Sequence, residues 1–232
     1  MSAFQVDDLA FDLRLSRRRR TVQITVDRGG ELVLAAPRGT DEEELRRFVR
    51  EKRYWIYTKL AEKAQLQRAI PKKEFVDGEG FLYLGCSYRL KLVDDPAASL
   101  KLVGGRFHLS RDLAASEGRS QFVRWYTDHG YEWLSQKVSE YTPRMEVKPG
   151  GVKVQDLGYR WGSCGKGNWL YFHWKTILLP RTVAEYVVIH ELAHLHEGHH
   201  TPAFWRRIER ALPDFERRKR WLAAHGMDAE GL

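Results

Sequence analysis

The sequence predicts an α+β fold, with a β-rich N-terminal lobe over residues 1–115 followed by a compact lobe over 116–232. The second lobe is expected to carry an antiparallel edge strand and a helix bearing an HExxH sequence, and the two lobes are either separate or one continuous domain. Three observations predict this. Apolar and polar residues alternate with a period of two near 9–37 and again near 81–110, as half-buried strands require. Segments at 41–66 and 117–141 change to a helical period. The last third mixes short strands with helices whose starts are marked by Thr and Pro.

With 232 residues, 43% hydrophobic and 12% aromatic, the chain has enough apolar surface for a real core, which excludes disorder. Its 8 Pro and 19 Gly are too few for a low-complexity or collagen-like chain. The formal charge of +8 makes polyanions candidate partners and says nothing of the fold. Two cysteines, Cys86 and Cys164, are too few for a disulfide framework and are expected to be reduced. MSAFQVDDLAFDLRL interrupts every apolar stretch with Asp or Arg, so no secretory leader is expected. No stretch approaches the roughly 18 apolar residues of a membrane span, so no membrane partner is expected. A cytoplasmic protein is the expectation.

Strands are read at LAFDLRL, TVQITVD and ELVLAAP, the last two joined by the turn signal Arg28-Gly29-Gly30. One long helix follows near 41–66, opened by a capping box from Thr40 to Glu43, with Leu45, Phe48, Val49, Tyr54, Trp55 and Leu60 on its apolar face. FLYLG, SYRLKLV, ASLKLV and RFHLS then read as an antiparallel sheet. A second helix at 117–141 carries Phe122, Trp125, Tyr126, Trp133, Leu134 and Val138 and stops before Pro143. VKVQDL and WLYFHW read as strands flanking the turn RWGSCGKGN, with WLYFHW either an edge strand available to an extended peptide or an ordinary core strand, which Trp169, Tyr171, Phe172 and Trp174 fit equally well. A third helix starts after Pro180 with a capping box from Thr182 to Glu185, ending near Gly198. Thr201 and Pro202 open a fourth. No internal repeat is visible.

Five of the nine histidines, His190, His194, His196, His199 and His200, fall within eleven residues. His190, Glu191 and His194 form HExxH, and a spacing of four puts both imidazoles on one helix face, where their nitrogens can hold one zinc. Glu191 follows the first ligand directly, so its carboxylate can take a proton from water at the metal. A third donor should come from a chain reversal after the helix, which Gly198 permits. His199 or His200 can supply it, and His200 is preferred, giving HExxHxxxxxH. His196 should point away, about 200° around the helix from His194. Cys164 reads as a small buried group rather than a ligand. Arg160, His173 and Tyr186 are the candidates for binding substrate or stabilising an oxyanion.

RWGSCGKGNWLYFHWKTILLPRTVAEYVVIHELAHLHEGHHTPAFW resembles the YgjP-like metallopeptidase family, a branch of the compact zincins that includes the SprT-like proteins. SRRRRTVQITV, LAAPRGTDEEELRRFVREKRYWI and YLGCSYRL resemble that family's N-terminal half. The resemblance implies a zincin-like catalytic lobe and a zinc-dependent hydrolase, one Zn²⁺ per chain, with His190, His194 and His200 as ligands and Glu191 as the catalytic carboxylate. His173 and His199 stand where the family usually has Asn, which leaves His199 as an alternative third ligand.

The expected activity is a zinc metallopeptidase that cleaves peptide or protein substrates with metal-bound water activated by Glu191. The alternatives are a metal-dependent hydrolase of a small or phosphorylated, nucleotide-like substrate, and a nucleic-acid-associated protein with a structural zinc. Glu191 argues against the last, because a closed structural site has no use for that carboxylate. Basic runs at Arg17 to Arg20 and at Arg206, Arg207, Arg210, Arg217, Arg218, Lys219 and Arg220 could contact nucleic acid. They are read in the first place as solvated faces, because no recognition motif accompanies them.

Overall fold

The computed structural model describes residues 2–27, 30–66, 71–95, 98–158 and 160–232. Among them lie eleven strands in three sheets and six α-helices, an α+β protein as the sequence predicts. The chain forms two compact units, Met1–Ala69 and Ile70–Leu232.

In the first unit, β1 (Ser2–Val6), β2 (Leu9–Ser16), β3 (Gln23–Val26) and β4 (Leu32–Pro37) form a sheet ordered β1-β2-β4-β3. The β2–β4 pairing is parallel and the outer two are antiparallel. Phe4, Val6, Phe11, Leu34 and Ala36 pack with Leu45 and Val49 of α1 (Glu42–Glu51) and Ile56 of α2 (Arg53–Leu66). The single helix expected near 41–66 is thus two, because the backbone leaves helical geometry at Lys52 (φ −93°, ψ 3°). The capping box does not form: the Thr40 hydroxyl donates to the Pro37 carbonyl at 3.0 Å, and Asp41 is the N-cap residue. Arg28 and Gly29 of the expected turn lie outside the described residues.

The second unit opens with β5 (Gly80–Tyr83), β6 (Cys86–Val93), β7 (Lys101–Val103) and β8 (Arg106–Ser110), ordered β5-β6-β8-β7. This sheet is mixed rather than antiparallel. The β7–β8 hairpin, turned by Gly104 and Gly105 at positive φ, places β8 against β6 in parallel and leaves β7 at the edge. Strand order and sense repeat those of the first sheet, a repeat of topology with no visible counterpart in the sequence.

Helix α3 (Arg111–Met145) is longer than the 117–141 segment, continuing through an irregular Glu117 (φ −132°) and enclosing Pro143 in its last turn. Phe81 stacks on Phe122 with ring centres 3.9 Å apart, and Phe107 meets Trp125 edge-on at 5.0 Å. These contacts fuse the second sheet and α3 into one core. The boundary expected near Ser116 therefore falls instead between residues 69 and 70.

The third sheet, β9 (Gly151–Gln155), β10 (Gly162–Cys164) and β11 (Trp169–His173), is ordered β10-β11-β9. The segment expected to be a turn contains a strand, and WLYFH is central, not an edge. The edges are β10, antiparallel to β11, and β9, parallel to it. Helices α4 (Arg181–Ala193), α5 (Pro202–Ala211) and α6 (Phe215–His225) complete the unit. α4 is buried nearly all round through Val183, Ala184, Val187, Val188 and Leu192. Its expected capping box is also absent. Glu185 instead binds Lys137 of α3 at 3.2 Å and Arg218 of α6 at 3.1 Å, tying three helices together. α5 starts as expected, with Pro202 at its first turn and the Thr201 hydroxyl accepting the Phe204 amide at 3.3 Å. No described helix is long and apolar enough to cross a membrane.

Candidate active site

α4 is held from every side by the core of the second unit, so the direction of its polar residues is fixed by packing rather than by local preference. His190 and His194 leave it one turn apart, ring centres 5.0 Å from each other. The helix ends at Ala193, with His194 as C-cap. The chain then reverses through tight bonds, Leu195 to the Leu192 carbonyl and His196 to that of Ala193, each 3.1 Å. Gly198 lines the cleft but is not at positive φ, so the reversal does not use the left-handed glycine expected of it.

The reversal brings His200 to the helix face. One nitrogen from each of His190, His194 and His200 lies within 4.8 Å of the others, and Nε2 of His200 is 3.0 Å from Nε2 of His190. Nitrogens bound to one tetrahedral zinc at ordinary lengths stand about 3.4 Å apart, so the donor set fits a single metal ion. Nδ1 of His194 is committed to the Glu197 carbonyl at 3.0 Å, which leaves its Nε2 for the metal. Burial, reinforced by its two histidine neighbours, pushes the His190 imidazole down to about 3 and keeps it neutral, as a ligand must be. His199 is outside this cluster, and His196 is turned away onto the Met145 carbonyl at 3.0 Å.

Glu191 is 5% exposed, on the wall of a cleft of about 420 Å³ that the three histidines share with Arg160, Gly162, Ser163, Cys164 and Gly198. Burial pushes its carboxyl up to about 8, against the opposing charge of Arg160 and the backbone N–H that Cys164 donates to it. β10 comes close because it has no side chain at Gly162: a Cβ there would stand 2.6 Å from Cγ and Oε1 of Glu191. The carboxylate is therefore clamped by a strand that local sequence reading takes for a turn. Three residues containing a glycine are too short a run for the period of two to show.

Of the other candidates, Arg160 lines the cleft, 3.4 Å from the Ser163 hydroxyl. His173 does not line it. It is buried, accepts the Lys175 amide at 3.0 Å and sits 3.4 Å from Asp156. Tyr186 is buried one turn before His190, ring centres 5.9 Å apart, and its phenol is pushed far above the usual range by burial. Cys164 lies beside Glu191 and outside the nitrogen cluster.

Among known proteins, the family model described as YgjP-like, metallopeptidase domain, matches residues 20–225. Among solved structures, the metallopeptidase zymogen of Pyrococcus abyssi abylysin is similar at 23% identity and a TM-score of 0.35, over 38% of this chain and 86% of that one. No curated protein matches. With the family model running through both compact units and across the helix that carries the histidine face, the chain belongs to the YgjP-like metallopeptidases and is a metal-dependent peptidase.

Proposed function

We propose that this chain is a zinc peptidase in which His190, His194 and His200 hold one metal ion and Glu191 moves the proton. The observation that carries the reading is the convergence of three imidazole nitrogens beside a buried carboxylate on a single helix face. Three neutral nitrogen donors suit zinc and leave a coordination position open. When bound, zinc supplies Lewis acidity to a scissile carbonyl and to water.

The chain's own residues do the rest. Glu191, held by the Cys164 N–H and walled in by Gly162, accepts the proton of the attacking water and returns it to the leaving amine. Arg160, on the cleft wall, places positive charge near the developing oxyanion. The substrate is a peptide or protein segment laid along the outer edge of β10, beside the metal site. Of the C-terminal basic run, Arg217 and Arg218 are engaged by Asp214, at 2.5 and 2.9 Å, which supports a structural rather than a nucleic-acid role for those two. Two free thiols support a cytoplasmic setting.

Elemental analysis of purified protein is the test. About one zinc per chain in the wild type, sharply weakened in His200→Ala, together with casein hydrolysis lost in Glu191→Gln, is the expected result. Wild-type turnover by Glu191→Gln would overturn the assignment of the carboxylate.

A further inference from the structure

The third ligand differs from the other two in how it is held. His190 and His194 project from a helix buried in the core, whereas His200 projects from an exposed loop whose backbone alone does not fix a ring. What lies against that ring is the first turn of α5. Phe204, fully buried, has its centre 5.0 Å from that of His190, 4.6 Å from His194 and 4.8 Å from His200, so one phenyl ring touches all three imidazoles. Trp205 stacks on His200 with centres 5.6 Å and planes 22° apart.

Trp205 is itself immobilised. It stacks on Phe215 of α6 at 5.7 Å and 18°, carries the Lys219 ammonium 4.1 Å from its ring centre, and donates its amide to the Thr201 carbonyl at 3.2 Å. The N-cap bond of Thr201 begins this turn one residue after His200. The ligand and its support thus share one short rigid segment.

We propose that Trp205 is a positioning residue that orients His200 toward the metal, with Phe204 as the apolar floor that keeps the three imidazoles in register. The inference rests on the three-histidine reading above. Stacking removes rotamers in which His200 swings into solvent, so the ordering cost of the third ligand is met before the metal arrives. The apolar floor also lowers the local dielectric under the donors.

The test is zinc affinity, measured by competition with a chromophoric chelator on the full chain, with metal-free melting temperature as the control for folding. Trp205→Ala is expected to bind zinc roughly 10–100-fold more weakly, and Trp205→Phe, which keeps an aromatic face, to recover to within about threefold. In a His200→Ala background, Trp205→Ala should cause little further loss, because the stacked ring is gone and only an edge contact with His190, centres 6.0 Å apart, is left. If Trp205→Ala does not fold, Trp205→Leu carries the same expectation. Unchanged affinity in the Trp205 variant beside a weakened His200→Ala would overturn this inference alone, as would a loss that persists undiminished without His200. A wild type that binds no zinc, or a His200→Ala that binds it unaltered, would overturn the three-histidine reading and the inference with it.

Discussion

Replacing Gly162 by alanine adds one methyl group to the wall of the cleft. Gly162 is not at positive φ, so the backbone accepts alanine and the perturbation is purely steric. The new Cβ would lie 2.6 Å from Cγ and Oε1 of Glu191 and 2.8 Å from its Cδ. Carbon atoms rest at about 3.5–4.0 Å, so the carboxyl has to retreat by about 1 Å from its place beside the histidines. Overpacking of this kind costs about 1–3 kcal/mol, or several degrees of melting temperature in a chain of this size. Misplacement of a reacting group by about 1 Å costs on the order of 100-fold in rate. The histidines are untouched, so zinc content should stay at the wild-type level. Hydrolysis of fluorescein-labelled casein by the zinc-loaded variant should accordingly fall about 100-fold. Adding Glu191→Asp, one methylene shorter, should restore part of the lost melting temperature. A Gly162→Ala protein that melts and cleaves like the wild type would refute the clamp between β10 and α4.

His196→Ala should keep zinc and lose about 1 kcal/mol of stability, since His196 bonds the Met145 carbonyl and lies outside the three-histidine cluster; denaturant titration and elemental analysis read the two effects separately. Gly85→Ala places a Cβ 2.7 Å from the Pro180 backbone at a φ of +80°, against the segment that leads into α4. A loss of at least about 2 kcal/mol is expected by calorimetry, and an unchanged melting curve would show that the β5–β6 turn does not support α4. In the metal-free chain, Glu191 titrates at about 8, well above its unfolded value. The stability this raised pKa confers is complete below the unfolded value and is lost as pH rises through 8. The depressed pKa of His190, about 3, works the other way, with stability present above its unfolded value and lost on acidification. Between about pH 6.5 and 8.5 the loss from Glu191 outweighs the residual gains from His190 and His200 as their unfolded imidazoles lose protons, so unfolding free energy should fall by on the order of 1 kcal/mol. Glu191→Gln should flatten that slope, and an equally steep slope in the variant would assign it to another group.

Much of the site was legible in the chain. The spacing of His190, Glu191 and His194 needs only the helical period, and that period is local. Thr201 and Pro202 mark the start of α5 by chemistry confined to one turn, and the bond from the Phe204 amide to Thr201 follows from it. The same local logic overreached at Thr40 and Thr182. Their hydroxyls make no capping bond in the structure, because Pro37 takes one and Glu185 is drawn to Lys137 and Arg218. WLYFHW was recognisable as a strand from its composition. The choice between the edge and the centre of a sheet was not, since pairing partners are chosen by residues far away in sequence.

The sequence by itself therefore determined the α+β class, the helix that carries two histidines and a carboxylate, and the expectation that a third histidine returns to it. Only the tertiary structure decided that His200 rather than His199 returns, that Glu191 is buried against the edge strand β10, and that Phe204 lies under all three imidazoles. The physical reason is range. Periodicity, caps and ligand spacing act over a few residues and leave a local signature, whereas burial, pKa and the closing of a metal site depend on surfaces that meet only when the core has packed.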